Sequence, residues 1–149
     1  LDIVNESIRN TVAIYDYDER TLDEQIIWFN DKIKSDFPVL VATLDETVVG
    51  FGSYGTFKAK VGYNATVEHS VYVVPQFVGK GLGKLILSHL IALAKEQKLH
   101  VMIGYIDSSN IESINFHKKF GFVESGHLKQ VGYKFGKWLD VKLMQLMLE

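Results

Sequence analysis

The sequence contains no cysteine and only two prolines, Pro38 and Pro75, among its 149 residues. The absence of cysteine excludes disulfide bonds, thiolate metal sites and a cysteine nucleophile, and it allows a cytoplasmic location, which we expect. No apolar run is long enough to cross a membrane and no signal peptide is recognisable, so we expect no membrane partner. We find no repeat, low-complexity tract or linker.

Neither sign of charge dominates the chain. Sixteen Lys and Arg residues stand against eighteen Asp and Glu residues, which gives a formal net charge of −2. This balance argues against a nucleic-acid partner. Apolar residues make up 47% and charged residues 23% of the sequence, as in ordinary globular proteins. The length suffices for one domain with a full core, so we expect a single domain over residues 1–149.

Helical and extended patterns alternate along the chain. Helices are predicted over residues 1–10, 21–34, 81–97 and 110–121, and extended segments over 11–15, 39–44, 48–57, 65–74 and 100–106, with two more strands in 121–148. The second helix has a capping box, Thr21 with Glu24, and is expected to bury Leu22, Ile26, Ile27 and Phe29 or their neighbours. Mixed strands and helices predict an α/β (α+β) fold with helices on both faces of a sheet.

A glycine-rich turn separates one predicted strand from the longest predicted helix, in the stretch VVPQFVGKGLGKLIL (residues 73–87). Gly79, Gly81 and Gly83 leave backbone N–H groups open to approach, and the helix adds unpaired donors and a partial positive charge. Such a turn is suited to bind phosphate or pyrophosphate, and Lys80 and Lys84 add charge.

Two common phosphate-binding motifs do not fit this turn. A Walker loop requires Ser or Thr after its Gly-Lys pair, and here Leu85 follows Lys84. A dinucleotide fingerprint that starts at Gly79 meets Lys84 where its third glycine belongs. The pattern that remains is Gln76-x-x-Gly79-x-Gly81.

This pattern resembles the pyrophosphate loop of the GNAT superfamily of N-acetyltransferases, and SSNIESINFHKKFGF (108–122) resembles their second signature. Two further stretches, TVEHSVYVVPQFVGKGLG and GYKFGKWLDVKLMQ, are similar to the branch that acetylates phosphinothricin and methionine sulfoximine. The resemblance covers nearly the whole chain. It implies a mixed, mostly antiparallel sheet that splays apart after its fourth strand, with acetyl-CoA in the split. This chain is expected to begin within the family's first helix, without the family's first strand.

The resemblance also implies which residues contact acetyl-CoA. Backbone N–H groups of the splayed strand would hold the pantetheine arm and the thioester oxygen, and the glycine turn would hold the pyrophosphate. Asn110, which can also cap its helix, and Ser113 would contact the cofactor too. The complete set of implied cofactor residues is Val71, Tyr72, Val73, Gln76, Gly79, Lys80, Gly81, Leu82, Gly83, Lys84, Asn110 and Ser113.

Acetyl transfer to an amine requires a base for the amine and an acid for the departing thiolate. Glu68 stands within an otherwise apolar strand, where a carboxylate is costly unless it has a role or a partner. The resemblance implies that Glu68 is the general base and that His117, which titrates in the useful range, is the acid. His69, His89, His100 and His127 show no metal-ligand spacing and are expected to be structural or surface residues, and no metal is expected.

A substrate with a carboxylate needs a cation in its pocket. Lys58 and Lys60 lie where the branch commonly has arginines, and Asn64 replaces another, which weakens the case for phosphinothricin itself. Tyr63 and Trp138 match aromatic positions of the branch and are candidates for the pocket wall.

The resemblance thus implies an N-acetyltransferase for the amino group of a small amino acid or a glutamate-like analogue. Two alternatives stay open: an enzyme for protein, peptide or polyamine amines, and a non-catalytic acyl-CoA-binding module. The resemblance further implies a homodimer, in which the apolar last strand, VKLMQLML, could form part of the interface.

Overall fold

The computed structural model describes all residues, 1–149, as four helices, six strands and two short 3-10 turns, Val61–Tyr63 and Pro75–Phe77. The helices are α1 (Asp2–Asn10), α2 (Leu22–Lys34), α3 (Leu82–Glu96) and α4 (Ile111–Lys119). The strands are β1 (Val39–Leu44), β2 (Thr47–Thr56), β3 (Thr66–Val73), β4 (Val101–Asp107), β5 (Val123–Lys134) and β6 (Lys137–Met147). These elements match the predicted ones, except that residues 11–15 form bends rather than a strand. No helix is both long and apolar enough to cross a membrane.

All six strands join one sheet in the order β1-β2-β3-β4-β6-β5. Every neighbouring pair is antiparallel except β3 and β4, which are parallel. The β3–β4 ladder has three residue pairs and ends at Glu68 and Ile103. Beyond this point the two strands diverge, so the predicted splayed sheet is confirmed. The split lies between β3 and β4, the third and fourth strands of this chain.

Helices cover both faces of the sheet. On one face α3 lies against β2, where a Cβ on Gly52 would fall 2.4 Å from Ile86 Cγ2, so a glycine is needed for this close approach. On the other face Val4 and Ile8 of α1 form a small core with Phe51. Because β2 is covered on both faces, seven consecutive residues of it are buried, as expected for a central strand.

Helix α2 turns inward neighbours of the four residues named from the sequence, not those four residues themselves. Its capping box is present, but its apolar residues do not face the sheet. The helix turns Gln25, Trp28 and Lys32 inward, at spacings that share one helical face. The residues left exposed, by 45% to 62% of their surface, are Leu22, Ile26, Ile27, Phe29 and Ile33. Four of them, Leu22, Ile26, Phe29 and Ile33, share one helical face, and we call these four the α2 apolar stripe.

The segment between α1 and α2 is tied to the far side of the split. The ammonium group of Lys134, which is only 3% exposed, donates hydrogen bonds to the carbonyls of Thr11 and Ile14, each at 2.7 Å. The hydroxyl of Tyr15 donates to a carboxylate oxygen of Asp107 at 2.6 Å. These contacts fix residues 11–15 without a strand, and they hold Ala13 in the wall of the cavity described next.

Candidate active site

A cavity of about 600 Å³ lies where β3 and β4 diverge, closed on one side by the glycine turn and α4. Ten of the twelve predicted cofactor residues line it: Val71, Tyr72, Val73, Gly79, Gly81, Leu82, Gly83, Lys84, Asn110 and Ser113. The other two do not. Gln76 is exposed in a 3-10 turn, and the ammonium of Lys80 lies 5.4 Å from the ring centre of Phe77.

The edge of β3 that borders the cavity carries unpaired backbone groups. Val71, Tyr72 and Val73 pair with β2 along their other edge, but the ladder with β4 has already ended at Glu68. A strand without a neighbour presents N–H and C=O groups that need other partners. The split therefore offers backbone donors and acceptors to an extended ligand arm.

The glycine turn has the shape of an anion cradle. Gly79 and Gly81 adopt φ of +84° and +82°, a left-handed conformation that favours glycine. A Cβ built on either glycine would meet no protein atom within 4 Å and would project into open space. Gly81 directly precedes α3, whose first N–H groups have no side-chain cap and are suited to bind phosphate oxygens.

Asn110 begins α4 with the predicted capping contact. Its side-chain oxygen accepts a hydrogen bond from the backbone N–H of Ser113 at 3.2 Å. The amide NH₂ of Asn110 has no protein partner and lies at the cavity wall, so one side chain can cap the helix and still donate to a ligand.

Glu68 is the last residue of β3 that pairs with β4, at the point where the split opens. It is half-buried, and burial raises the pKa of its carboxyl, while Lys32 and Lys58 act against this shift. Its strand neighbour His69 lies on the opposite face of the sheet because side chains alternate along a strand. Two titratable residues thus flank the split from its two faces.

Lys32 is a site residue that the sequence analysis missed. Its ammonium donates to the Tyr54 carbonyl at 2.9 Å and passes over Gly55, where a Cβ would lie 2.5 Å away. Gly55 pairs directly with Glu68, which brings Lys32 near the carboxylate. Burial lowers the pKa of Lys32 and the charge of Glu68 opposes this effect.

The predicted substrate residues are only partly brought together. Lys58 is near enough to Glu68 to affect its pKa. Tyr63 packs on Phe57 with their ring centres 5.8 Å apart. Phe57 in turn stacks on Tyr105 with ring centres 6.5 Å apart, so three aromatic rings form one continuous group next to Lys58.

The two other predicted substrate residues have no contact with this group. Lys60 is exposed and makes no ion pair. Trp138 lies at the β5–β6 turn, where it packs on Tyr133 with ring centres 4.9 Å apart. Neither residue lines the cavity.

His117 lines the cavity but is 7% exposed. Burial lowers its pKa, and both of its ring nitrogens have partners, the Ser113 carbonyl and the ring of His69. His69, which we expected to be a structural or surface residue, is buried and also lines the cavity. No group of three or more His, Asp or Glu side chains could hold a metal ion.

Comparison with known proteins identifies this architecture. The family model for the acetyltransferase (GNAT) family matches residues 4–122. The L-methionine sulfoximine/L-methionine sulfone acetyltransferase of Pseudomonas aeruginosa is 43% identical over 150 residues, which cover 100% of this chain and 87% of that protein. The phosphinothricin N-acetyltransferase of Streptomyces viridochromogenes is 32% identical, over 97% of this chain and 78% of that protein.

Among solved structures, a Salmonella typhimurium protein described as an acetyltransferase, whose structure includes its cofactor acetyl-CoA, superposes with a TM-score of 0.97. The two sequences are 40% identical, and the superposition covers 99% of this chain and 86% of the Salmonella chain. A mixed sheet split beside a glycine turn defines a class of acyl-CoA-dependent transferases, and this chain belongs to the acetyltransferase (GNAT) family. It is an acetyl-CoA-dependent acetyltransferase, and the predicted family, fold class and cofactor are confirmed.

Proposed function

We propose that the protein transfers the acetyl group of acetyl-CoA to the α-amino group of a small, glutamate-like amino acid of the methionine sulfoximine or methionine sulfone type. The observation that carries this proposal is the half-buried carboxylate of Glu68 at the mouth of the split, with Lys32 and Lys58 around it. A carboxylate there can take a proton from an ammonium group, and cations beside it suit a substrate that carries its own carboxylate. The relative named for methionine sulfoximine is more similar to this chain than the one named for phosphinothricin.

In this mechanism Glu68, directly or through a water molecule, deprotonates the amine, which then attacks the thioester carbon. Backbone N–H groups of Val71 and Val73 stabilise the developing oxyanion, because they point to the unpaired edge of β3, whereas the Tyr72 N–H faces β2. Collapse of the tetrahedral intermediate breaks the C–S bond and forms the amide, and the nitrogen releases its second proton to solvent as it becomes neutral. The departing thiolate then receives a proton, for which His117 on the other face of β3 is the proposed source.

The substrate carboxylate is proposed to lie between Lys32 and Lys58. Lys32 keeps its ammonium in place by one hydrogen bond to the Tyr54 carbonyl, which leaves two N–H donors for a ligand. The aromatic rings of Phe57, Tyr63 and Tyr105 supply an apolar wall for the substrate's side chain.

Replacement of Lys32 by Met tests this assignment. Methionine keeps an unbranched stem to pack on Trp28, so the fold should be retained. We expect KM for methionine sulfone to rise about 10- to 100-fold, the value of a lost charged hydrogen bond. KM for its methyl ester, which has no carboxylate charge, should change little. Lys34→Met, on the same helix and exposed, is the matched control.

The same variant should also alter the pH profile. Lys32 lowers the pKa of Glu68, so its removal raises that pKa. Since the base must be deprotonated to act, the acid limb of kcat/KM should move to higher pH. If KM rose equally for methionine sulfone and its methyl ester, and the acid limb of kcat/KM did not move, Lys32 would be only a structural residue.

A panel of amines tests the function as a whole. Thiol release from acetyl-CoA is measured with methionine sulfoximine, methionine sulfone, phosphinothricin, common amino acids, polyamines and a short peptide; the chain has no cysteine to add background. We expect turnover with the first two. Turnover with polyamines or the peptide alone would replace the substrate class. Acetyl-CoA binding without turnover on any amine would favour a binding module.

We propose further that the enzyme is a single acetyltransferase domain that acts as a homodimer in the cytoplasm, where acetyl-CoA is available. The α2 apolar stripe supports the dimer, because contiguous exposed apolar surface typically marks an interface. The last strand has no free edge for this purpose, since β6 pairs with β4 on one side and β5 on the other.

The dimer predicts a mass of about twice 16.9 kDa by light scattering. Two charges introduced into the stripe, Ile26→Glu with Ile33→Glu, should yield a folded monomer, since buried unpaired carboxylates oppose association. Lys34→Glu changes a charge beside the stripe and should keep the dimer. A monomeric parent protein would contradict the proposal, and a dimeric double variant would place the interface elsewhere.

A further inference from the structure

Two buried histidines meet across the split, on elements that are far apart in sequence. Nε2 of His69 on β3 lies 2.9 Å from Nε2 of His117 on α4. Each residue is 7% exposed, and both line the cavity. A contact of this length between two ring nitrogens requires one proton between them, because two bare lone pairs would repel.

The two remaining ring nitrogens also face hydrogen-bond partners. Nδ1 of His69 lies 3.0 Å from the Ile103 carbonyl, and Nδ1 of His117 lies 2.7 Å from the Ser113 carbonyl. A carbonyl only accepts, so each Nδ1 needs its own proton. The three contacts together need three protons, while two neutral imidazoles carry only two. Every neutral arrangement therefore leaves one contact without a proton.

The surroundings explain why the third proton is not held permanently. Phe116 and Phe122 pack against the rings, and a Cβ on Gly104 of β4 would lie 2.9 Å from Cε1 of His69. The neighbouring titratable group on β3, Glu68, belongs to the opposite face of the sheet.

No carboxylate contributes to the titration of either ring. β4 presents the Ile103 carbonyl to the pair, and α4 presents the Ser113 carbonyl and hydroxyl. Burial lowers the pKa of both rings, and each charged ring would repel the other. The resting pair therefore carries two protons, although its three hydrogen-bond contacts could accommodate three.

We infer that His69 and His117 form a single proton-binding site, in which His69 is a positioning residue that sets the tautomer of His117 and shares the third proton with it. The third proton comes from solvent, and the pair takes it up when negative charge develops in the split. This inference rests on the proposed function, in which that charge is the departing thiolate.

The protons balance if the pair discharges through Ser113, whose hydroxyl lies 3.4 Å from Nδ1 of His117. The hydroxyl gives its proton to the thiolate sulfur and receives the Nδ1 proton of His117. The proton between the rings moves onto Nε2 of His117, and His69 keeps its Nδ1 proton. Both rings end neutral with two protons, and no bond to carbon forms or breaks in this step.

Nitrogen-15 NMR of the imidazole rings in the ligand-free protein tests the pair without any substrate. In the parent protein we expect both rings to shift at one common midpoint, with one proton taken up by the two together. In His69→Phe, which keeps an aromatic ring, Nε2 of His117 loses its partner. His117 should then adopt a single Nδ1–H tautomer, held by the Ser113 carbonyl, with its midpoint moved to lower pH.

His69→Gln supplies a second variant in case the phenylalanine disturbs packing, because its amide oxygen can accept from Nε2–H of His117. It should restore an N–H on Nε2 and remove the common midpoint. His89→Gln, at an exposed position of α3, should leave both rings unchanged. Separate midpoints in the parent protein, or an unchanged His117 in His69→Phe, would overturn the inference.

Kinetics then connect the pair to the reaction. With an amine that is turned over, kcat of His69→Phe should fall about 10-fold or more with little change in KM for acetyl-CoA, and the glutamine variant should recover part of it. An equal loss of kcat in His69→Phe and His69→Gln would show that His69 contributes only to packing. If no amine is turned over, the proposed function fails while the NMR result still decides whether the pair shares a proton.

Discussion

Replacement of Glu68 by Gln is expected to lower kcat/KM for the amine by about 10²- to 10⁴-fold, the usual contribution of a general base. Glutamine has nearly the same shape but cannot accept a proton from an ammonium group. The affinity for acetyl-CoA should be unchanged, since Glu68 does not line the cofactor cavity. Isothermal titration with acetyl-CoA and a thiol-release assay measure the two quantities separately.

The fold should not suffer from this substitution. Burial raises the pKa of Glu68 in the folded protein, so its ionised form costs stability, fully above the folded pKa and not at all below the unfolded pKa. At neutral pH and above, Glu68→Gln removes that cost, and its melting temperature should equal or exceed that of the parent protein. If Glu68→Gln lost activity and also had a lower melting temperature, the loss could come from a disturbed fold, and Glu68 would not be identified as the base.

The pH dependence gives an independent reading of the same variant. The parent enzyme should lose kcat/KM as pH falls through the raised pKa of Glu68. The variant should lack this limb, and its residual rate should keep rising with pH as free amine forms in solution. Glu46→Gln, in the exposed β1–β2 turn, should keep the parent profile. Parent-like activity in Glu68→Gln would assign the base to another group, and Tyr105, whose pKa responds to the charge of Glu68, would be tested next.

The features that could be predicted from sequence are those fixed by local spacing. The glycine turn needs only alternate glycines between a broken strand and a helix, and its φ angles of +84° and +82° follow from that pattern. The capping contact of Asn110 and the hairpin of β1 and β2 are local in the same way. The splayed sheet, in contrast, was predicted from resemblance, because no local pattern shows where two strands separate.

The missed residues depend on contacts between distant segments. Lys32 reaches the site only because Gly55 leaves room above β2 and pairs with Glu68. His69 meets His117 only because α4 crosses the face of β3, 48 residues further along the chain. Neither histidine carries a sequence signal for the other. A glutamate followed by a histidine in a strand is nevertheless informative, because alternation places the two on opposite faces.

The exposure of α2 shows a limit of the amphipathic rule. Periodic apolar residues predict which side chains share a helical face, and Leu22, Ile26, Phe29 and Ile33 do share one. The rule does not say what covers that face. In this chain the inward face carries Trp28 and Lys32 instead, and the apolar stripe stays exposed.

Gly81→Val is expected to weaken acetyl-CoA binding by about 100-fold or more. Gly81 has φ of +82°, where a β-branched residue is strained by about 1–3 kcal/mol. Its new side chain would also enter the open space at the start of α3, where we propose that the pyrophosphate binds. Isothermal titration compares acetyl-CoA with acetyl-pantetheine, which lacks the pyrophosphate. Only the acetyl-CoA affinity should fall steeply.

Gly136→Val separates this effect from backbone strain. Gly136 also has positive φ, +73°, and a Cβ there would likewise meet no atom within 4 Å, but it lies in the β5–β6 turn, away from the cavity. Both variants should lose several degrees of melting temperature for the same reason, and only Gly81→Val should lose acetyl-CoA affinity. If the two variants bound acetyl-CoA equally well, the glycine turn would not be the pyrophosphate site, and its left-handed glycines would serve only to connect β3 to α3.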